Sequence, residues 1–335
     1  MATIKDVARA ANVSTASVSR VLAGHPSASD EMRERVLAVV RDLGFHPNAV
    51  ARSMRTTGTK TVGLVVSDLL NPFFTELARA VEDTARRTGY SVIVGNADED
   101  PAQQDHYIRI LLERQVDGLI VVPTVETSPL LKEAAERGHH VVLVDRPAAD
   151  VDAPIVLADG AAAIDELVDH LVRTGRRDLA IVTGPDHAGT SRERLVAFRD
   201  ALVRHGLPLG EDRIWHGNFR ADSGREAFAD LLGSAKVPDA VLVANGPMAL
   251  GALQLLAERS GSPAIPDDLA LAVFDDMPWF SLLRPTLTAI EQPTARLGER
   301  AMQMLLALIG GEAVPDERLA CRLVLRESTN PRRSE

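Results

Sequence analysis

Ile4, Val7, Ala8 and Ala11 recur at the spacing of one helix face, which predicts a short amphipathic helix near the start of the chain. Thr3 can cap it, and Asp6 lies three residues on, near the positive helix end. Asn12 tolerates positive φ and marks a tight turn. Ser14 caps a second helix whose Val18, Val21 and Leu22 face the first. Gly24-His25-Pro26-Ser27 then breaks the chain. Ser29, Asp30 and Glu31 open a third helix, with Met32, Val36, Val40 and Leu43 as its predicted buried face and Gly44 as its stop. Three short helices, the first two joined by a four-residue turn, make a helix-turn-helix.

The period changes after Thr56-Thr57-Gly58-Thr59-Lys60. Val62-Gly63-Leu64-Val65-Val66 reads as a buried parallel strand, followed by an amphipathic helix from about Pro72. Strands recur near Ser91–Val94, Leu119–Val122 and Val141–Val144. A second series runs through Ile155–Leu157, Leu179–Val182, Ala240–Val243 and Ala270–Phe274, again with helical stretches between. Strand alternating with helix means parallel sheets covered on both faces, and two series mean two lobes. Such sheets bind ligands at the carboxyl ends of their strands, here in a cleft between lobes.

With 335 residues the chain has room for two or three domains. Its single cysteine, Cys321, cannot form an internal disulfide, and no cysteine cluster exists for zinc. The charged start, Lys5-Asp6, stands where a secretion signal would be apolar, and no apolar run is long enough for a membrane span. A cytosolic protein with no membrane partner is expected. Charge is unevenly spread. Residues 1–60 hold nine Lys/Arg against five Asp/Glu, a net of +4, leaving −14 on the other 275 residues of a chain whose total is −10. A basic head on an acidic body suggests that the head alone meets a polyanion; chance asymmetry is the bland alternative.

On the second helix, Ala16 and Arg20 lie opposite Val18, flanked by Thr15 and Ser19. A small residue near the helix start permits close approach to base edges. The Thr15 methyl suits a thymine methyl, and Arg20 suits guanine O6/N7. A three-helix cap with idle polar residues would look similar. The run Ala2-Thr3-Ile4-Lys5-Asp6-Val7-Ala8 through Asn12-Val13-Ser14-Thr15-Ala16-Ser17-Val18-Ser19-Arg20-Val21-Leu22 resembles the DNA-binding domain of the LacI family of bacterial transcription regulators. So does Gly44-Phe45-His46-Pro47-Asn48-Ala49-Val50-Ala51-Arg52-Ser53-Met54.

The resemblance implies a DNA-binding head over residues 1–56, with a hinge helix at 48–55, and a two-lobed periplasmic-binding-protein-like body over 61–335. In that fold the C-terminal helix near Thr294–Ile309 returns to the first lobe. Val50, Ala51 and Met54 share one side of the hinge, and so short a helix is marginal alone in water. The family places a leucine from each subunit as a wedge in the minor groove; here Met54 stands at that position. The expected DNA contacts are Ser14, Thr15, Ala16, Ser19, Arg20, Asn48, Ala51, Met54 and Arg55.

For the cleft, Asn71-Pro72-Phe73-Phe74 follows the first strand and offers an aromatic face. Asp145-Arg146-Pro147 follows another and could present the guanidinium bidentately to hydroxyls or a carboxylate. Asp159 ends the next strand. By resemblance, Arg194 matches an effector-contacting arginine, and Phe219, Asn245, Asp275 and Gln292 match effector positions; Trp279 comes shortly after. Aromatics with amides and carboxylates favour a sugar over a purine. The phenylalanines could equally be core, Asp275-Asp276 a solvated turn or helix cap, and the arginines surface charges. Two positions depart from the family: Gly246 follows Asn245 where an aspartate is common, and Gly160 follows Asp159 where an asparagine is common.

Phosphate-binding glycine motifs and a Gly-x-Ser-x-Gly elbow are absent, and the adjacent His139-His140 would alternate onto opposite sheet faces, so neither catalysis, metal nor cofactor is expected. The expected function is a homodimeric regulator, in first place a repressor, that binds a palindromic operator and answers allosterically to a small molecule, a sugar ahead of a purine or nucleoside. The competing reading is a sugar-binding protein with a vestigial head.

Overall fold

Thr3 and Asp6 cap each other at the start of the chain: the Thr3 hydroxyl accepts from the Asp6 amide at 3.3 Å, and the Asp6 carboxylate accepts from the Thr3 amide at 3.0 Å. This opens α1 (Ile4–Ala10). Asn12 turns the chain with φ +51°, and Ser14 starts α2 (Thr15–Leu22) by accepting from the Ser17 amide at 3.1 Å. Ser29 caps α3 (Asp30–Asp42). Val7, Ala11, Val18 and Val36 are fully buried where the three helices meet. Leu43 does not join them; it is 41% exposed, and Phe45 is buried instead. The reason is the reversal at Gly44 (φ +56°), which turns the chain away right after the Leu43 cap of α3 and folds Phe45 back, its amide donating to the Val40 carbonyl at 3.0 Å. The computed structural model describes residues 2–22, 27–45 and 58–330, so the break at 23–26 and the hinge segment 48–55 lie outside the described residues.

The chain divides into two units, Met1–Thr59 and Lys60–Glu335. In the second, β-branched and leucine-rich runs form β1 (Thr61–Val66), β2 (Ser91–Asn96), β3 (Gly118–Val121), β4 (Val141–Val144) and β5 (Ile155–Asp159). With β11 (Glu317–Ala320) they make a parallel sheet in the order β11-β5-β4-β3-β1-β2. Helices α4 (Pro72–Arg87), α5 (Pro101–Glu113) and α6 (Pro129–Glu136) connect these strands. The other lobe holds β6 (Leu179–Thr183), β7 (Ile214–His216), β8 (Ala240–Val243), β9 (Ala270–Phe274), β10 (Thr288–Glu291) and β12 (Arg322–Val324), in the order β12-β10-β9-β8-β6-β7. Its helices are α7 (Ala161–Arg173), α8 (Gly189–Arg204), α9 (Ala221–Gly233) and α10 (Gly246–Glu258).

Not every strand is parallel: β12 runs antiparallel to β10, at the edge of the second sheet. Arg322 follows Ala320 by a single residue in the next lobe, so β12 arrives from a direct crossover with no helix to reverse it. The chain passes between lobes three times, after Asp159, after Glu291 and after Ala320. The second passage sends α11 (Thr294–Ile309) back to the first lobe, where Leu297, Ala301, Met302 and Leu305 are buried beside Leu77 and Val81 of α4. Each sheet carries a core on both faces.

Candidate functional site

In the head, Val18 is fully buried, while Thr15, Ala16 and Arg20 of α2 are exposed and Ser19 is half-buried. Ser14 is exposed but already serves as the helix cap. Burying one stripe of α2 against α1 and α3 leaves the opposite stripe outward, so local periodicity alone creates this face. Asn48, Ala51, Met54 and Arg55 lie outside the described residues.

In the second unit, nine of the eleven cleft candidates line a single cavity between the lobes, together with Asp68, Glu99, Asp145 and Thr190. Loops at the carboxyl ends of the strands build it. Asn71 caps α4 by accepting from the Phe73 amide at 3.1 Å, which sets Phe73 and Phe74 edge to face at 5.0 Å. Both rings are buried in the first-lobe core and also border the cavity, so the core and cleft readings hold together. Three residues just beyond strand ends have left-handed backbone: Asp145 (φ +66°), Phe219 (φ +69°) and Asp275 (φ +80°). Such strain clusters where a fold over-determines a site. Asn245 supports one of them, donating to the Phe219 carbonyl at 2.9 Å while capping α10 by accepting from the Met248 amide at 2.9 Å.

The guanidinium of Arg146 is not free to fork onto a ligand, contrary to the expectation from sequence. Both of its terminal nitrogens donate to Glu99, each at 2.7 Å. The cause is the left-handed pair Asp98-Glu99 (φ +54° at each), which turns the loop after β2 back beneath Arg146. Its Nε, 3.7 Å from an Asp145 oxygen, lacks a hydrogen-bond partner. Burial works against the Arg146 charge, but Glu99 and Asp145 outweigh it and hold its pKa above the ordinary value. For Asp145 the balance is opposite: burial pushes its carboxyl up despite the nearby Arg146 and Arg194. Arg194 donates to the Ala244 carbonyl at 2.6 Å and lies 3.8 Å above the Phe274 ring. Gln292 donates to Asp275 at 2.5 Å, and its carbonyl oxygen is buried without a partner.

The cavity itself is about 20 Å³, room for roughly one water. Larger spaces flank it, about 330 Å³ bordered by Asp159, Arg194 and Phe274, and about 440 Å³ bordered by Phe73, Glu76 and Asp276. The lobes are therefore closed on one another. Ion pairs bridge them: Arg192 with Glu126, Arg318 with Glu193 at 3.1 Å, and Arg220 with Asp98 at 3.1 Å. Asp159 borders only the first flanking space, and Trp279 borders none of these, packing half-buried and edge-on against Phe280 at 4.5 Å on the outside of the second-lobe core.

The two glycine departures have a packing account. A Cβ at Gly160 would sit 2.7 Å from the Phe274 ring, and one at Gly246 would sit 2.0 Å from the Met277 methyl. Phe274 and Met277 thus occupy the room that larger residues would need. Sequence reasoning missed Asp68, Glu99 and Thr190; Asp68 and Glu99 lie in the loops just after β1 and β2, so the strand-end rule could have found them, whereas Thr190 lies in the first turn of α8. Burial pushes the Cys321 thiol up to about 12, far from a reactive thiolate. Among the described residues, no group of three or more His, Cys, Asp or Glu could hold a metal ion, and no helix is long and apolar enough to cross a membrane.

Residues 3–48 match the family model for bacterial regulatory proteins of the lacI family, and residues 168–329 match that for a periplasmic binding protein-like domain. The chain is 34% identical to catabolite control protein A of Priestia megaterium, over 98% of this chain and 99% of that protein. It is 32% identical to the ribose operon repressor of Escherichia coli, over 98% and 99%. A crystal structure of the lac repressor dimer bound to operator and the anti-inducer ONPF superposes with a TM-score of 0.84 at 28% identity, covering 98% of this chain and 99% of that one.

Proposed function

The chain belongs to the lacI family of bacterial regulatory proteins, and on that premise we propose that it is a repressor that binds a palindromic operator as a homodimer and is controlled by a small uncharged sugar. The outward stripe of Thr15, Ala16 and Arg20 supports direct reading of base edges by α2. The observation that carries the effector reading is the convergence of nine candidate residues on one interlobe cavity. Its aromatic rings suit a sugar face, and its amides and carboxylates suit hydroxyls. Four carboxylates (Asp68, Glu99, Asp145, Asp275) face two guanidiniums (Arg146, Arg194), a balance that repels anions. Trp279, half-buried against the second-lobe core, takes no part in either the sugar or the purine reading. Similarity to a ribose operon repressor makes a pentose the first ligand to try. The protein works by binding and not by catalysis, and its relatives are regulators.

Residues 48–55 serve as the hinge segment, with Met54 as wedge. Closing the lobes changes the spacing of the two hinges in a dimer, and the coupling should be about 1–3 kcal/mol between effector and operator. A palindromic duplex titrated with and without sugar tests this. Binding must be sequence-selective and fall with salt. Deleting residues 1–56 must abolish it; binding that survives the deletion overturns the reading. Met54→Ala should weaken operator binding while leaving sugar affinity of the DNA-free protein unchanged.

A further inference from the structure

Arg146 and Glu99 form a closed bidentate pair inside the cleft, and this pair has a consequence for what the cleft accepts. A guanidinium recognises a carboxylate or phosphate through two parallel N–H groups. At Arg146 both terminal nitrogens already face Glu99 at 2.7 Å. Arg194 has one terminal nitrogen on the Ala244 carbonyl and its plane over Phe274. The Arg146 fork is closed, and at Arg194 one terminal nitrogen is already taken. Among the fully buried side-chain atoms of the described lining, two lack a partner: Arg146 Nε, a donor, and Gln292 Oε1, an acceptor. A hydroxyl satisfies both kinds of atom, accepting from one and donating to the other. An anionic oxygen can only accept.

Resting on the reading of this cleft as the effector site, we propose that Glu99 is a specificity-determining residue: an internal counter-anion that occupies the Arg146 fork and confines the effector to uncharged polyols, excluding sugar phosphates and sugar acids. Glu99 reaches this position only through the left-handed backbone at Asp98 and Glu99. Its side chain is 17% exposed, so an external anion would have to displace it from a nearly dry pair.

The test uses the full-length protein and three probes: D-ribose, D-ribose 5-phosphate and inorganic phosphate, each followed by calorimetry and thermal shift. The parent should respond to neither phosphate probe. Glu99→Ala, which vacates the fork, should gain phosphate binding by about tenfold or more, and adding Arg146→Gln should remove the gain. Glu99→Gln keeps the shape without the charge and should gain less. A parent that binds ribose 5-phosphate at least as tightly as ribose overturns the proposal. So does a folded Glu99→Ala or Glu99→Gln protein with no gain of phosphate binding. Absence of a ribose response in the parent would count against the pentose reading alone, because the inorganic phosphate arm needs no sugar.

Discussion

Asp145 sits between two guanidiniums, yet burial raises its carboxyl above the ordinary value of 3.8. A raised carboxyl means that the folded state holds the proton more tightly than the unfolded chain. Folded stability therefore falls as pH climbs through 3.8 towards the folded value, and stays lower above it. Asn replaces Asp with the same shape and also tolerates positive φ. Asp145→Asn should raise the Tm of the ligand-free protein at neutral pH, and the gain should vanish below about pH 3.8. The same substitution should weaken sugar binding, so melts over pH combined with calorimetry separate the two effects. A lower Tm at neutral pH would mean that the Arg146 and Arg194 attractions outweigh burial. In the head, Arg20→Ala should cost about 1–3 kcal/mol on the operator and relax preference at one base pair. Equal loss on random DNA would make Arg20 a phosphate contact instead.

The first residue of α7 follows Gly160, which caps that helix without any side-chain hydrogen bond. Asparagine there would supply the missing cap, worth about 1 kcal/mol in open surroundings. Here its Cβ would land 2.7 Å from the Phe274 ring, whose side chain is buried. Overpacking should win, so Gly160→Asn is expected to destabilise by about 1–3 kcal/mol. Trimming Phe274 to Leu in the same chain should recover part of that loss. Denaturant melts of the four members of this cycle check it, and additive losses would show that the two sites do not press on each other. An element can thus carry an unfavourable cap because its neighbour from β9 has taken the space.

Across the whole second unit, closure joins a buried lining to three bridging ion pairs. Arg192, Arg220 and Arg318 are each 40% to 51% exposed, so each pair is worth about 0–1 kcal/mol and is weakened by salt. Together they can bias a hinge without locking it. Replacing all three arginines by alanine should enlarge the radius of gyration of the ligand-free protein in solution scattering, and sugar should reverse the change. No enlargement would assign closure to the lining alone.

Much of this was legible locally. The Thr3, Ser14 and Ser29 caps, the turn at Asn12 and the valine-rich strands depend on side chains a few residues apart, whose preferences persist before any tertiary contact forms. Polar residues at strand ends pointed to the cleft because chain order alone puts those ends on one side of a parallel sheet. The rest depended on approach between distant segments. Phe45 displaced Leu43 only once the chain had reversed at Gly44, and β12 turned antiparallel because a direct crossover delivered it. Trp279 faced the core because Phe280 and its neighbours offered it apolar contact. Glu99 is 47 residues from Arg146 in sequence, and no periodicity connects them. Two left-handed residues brought them together, and burial made that pairing favourable: a partner for a buried charge is chosen by the fold and not by its neighbours in the chain.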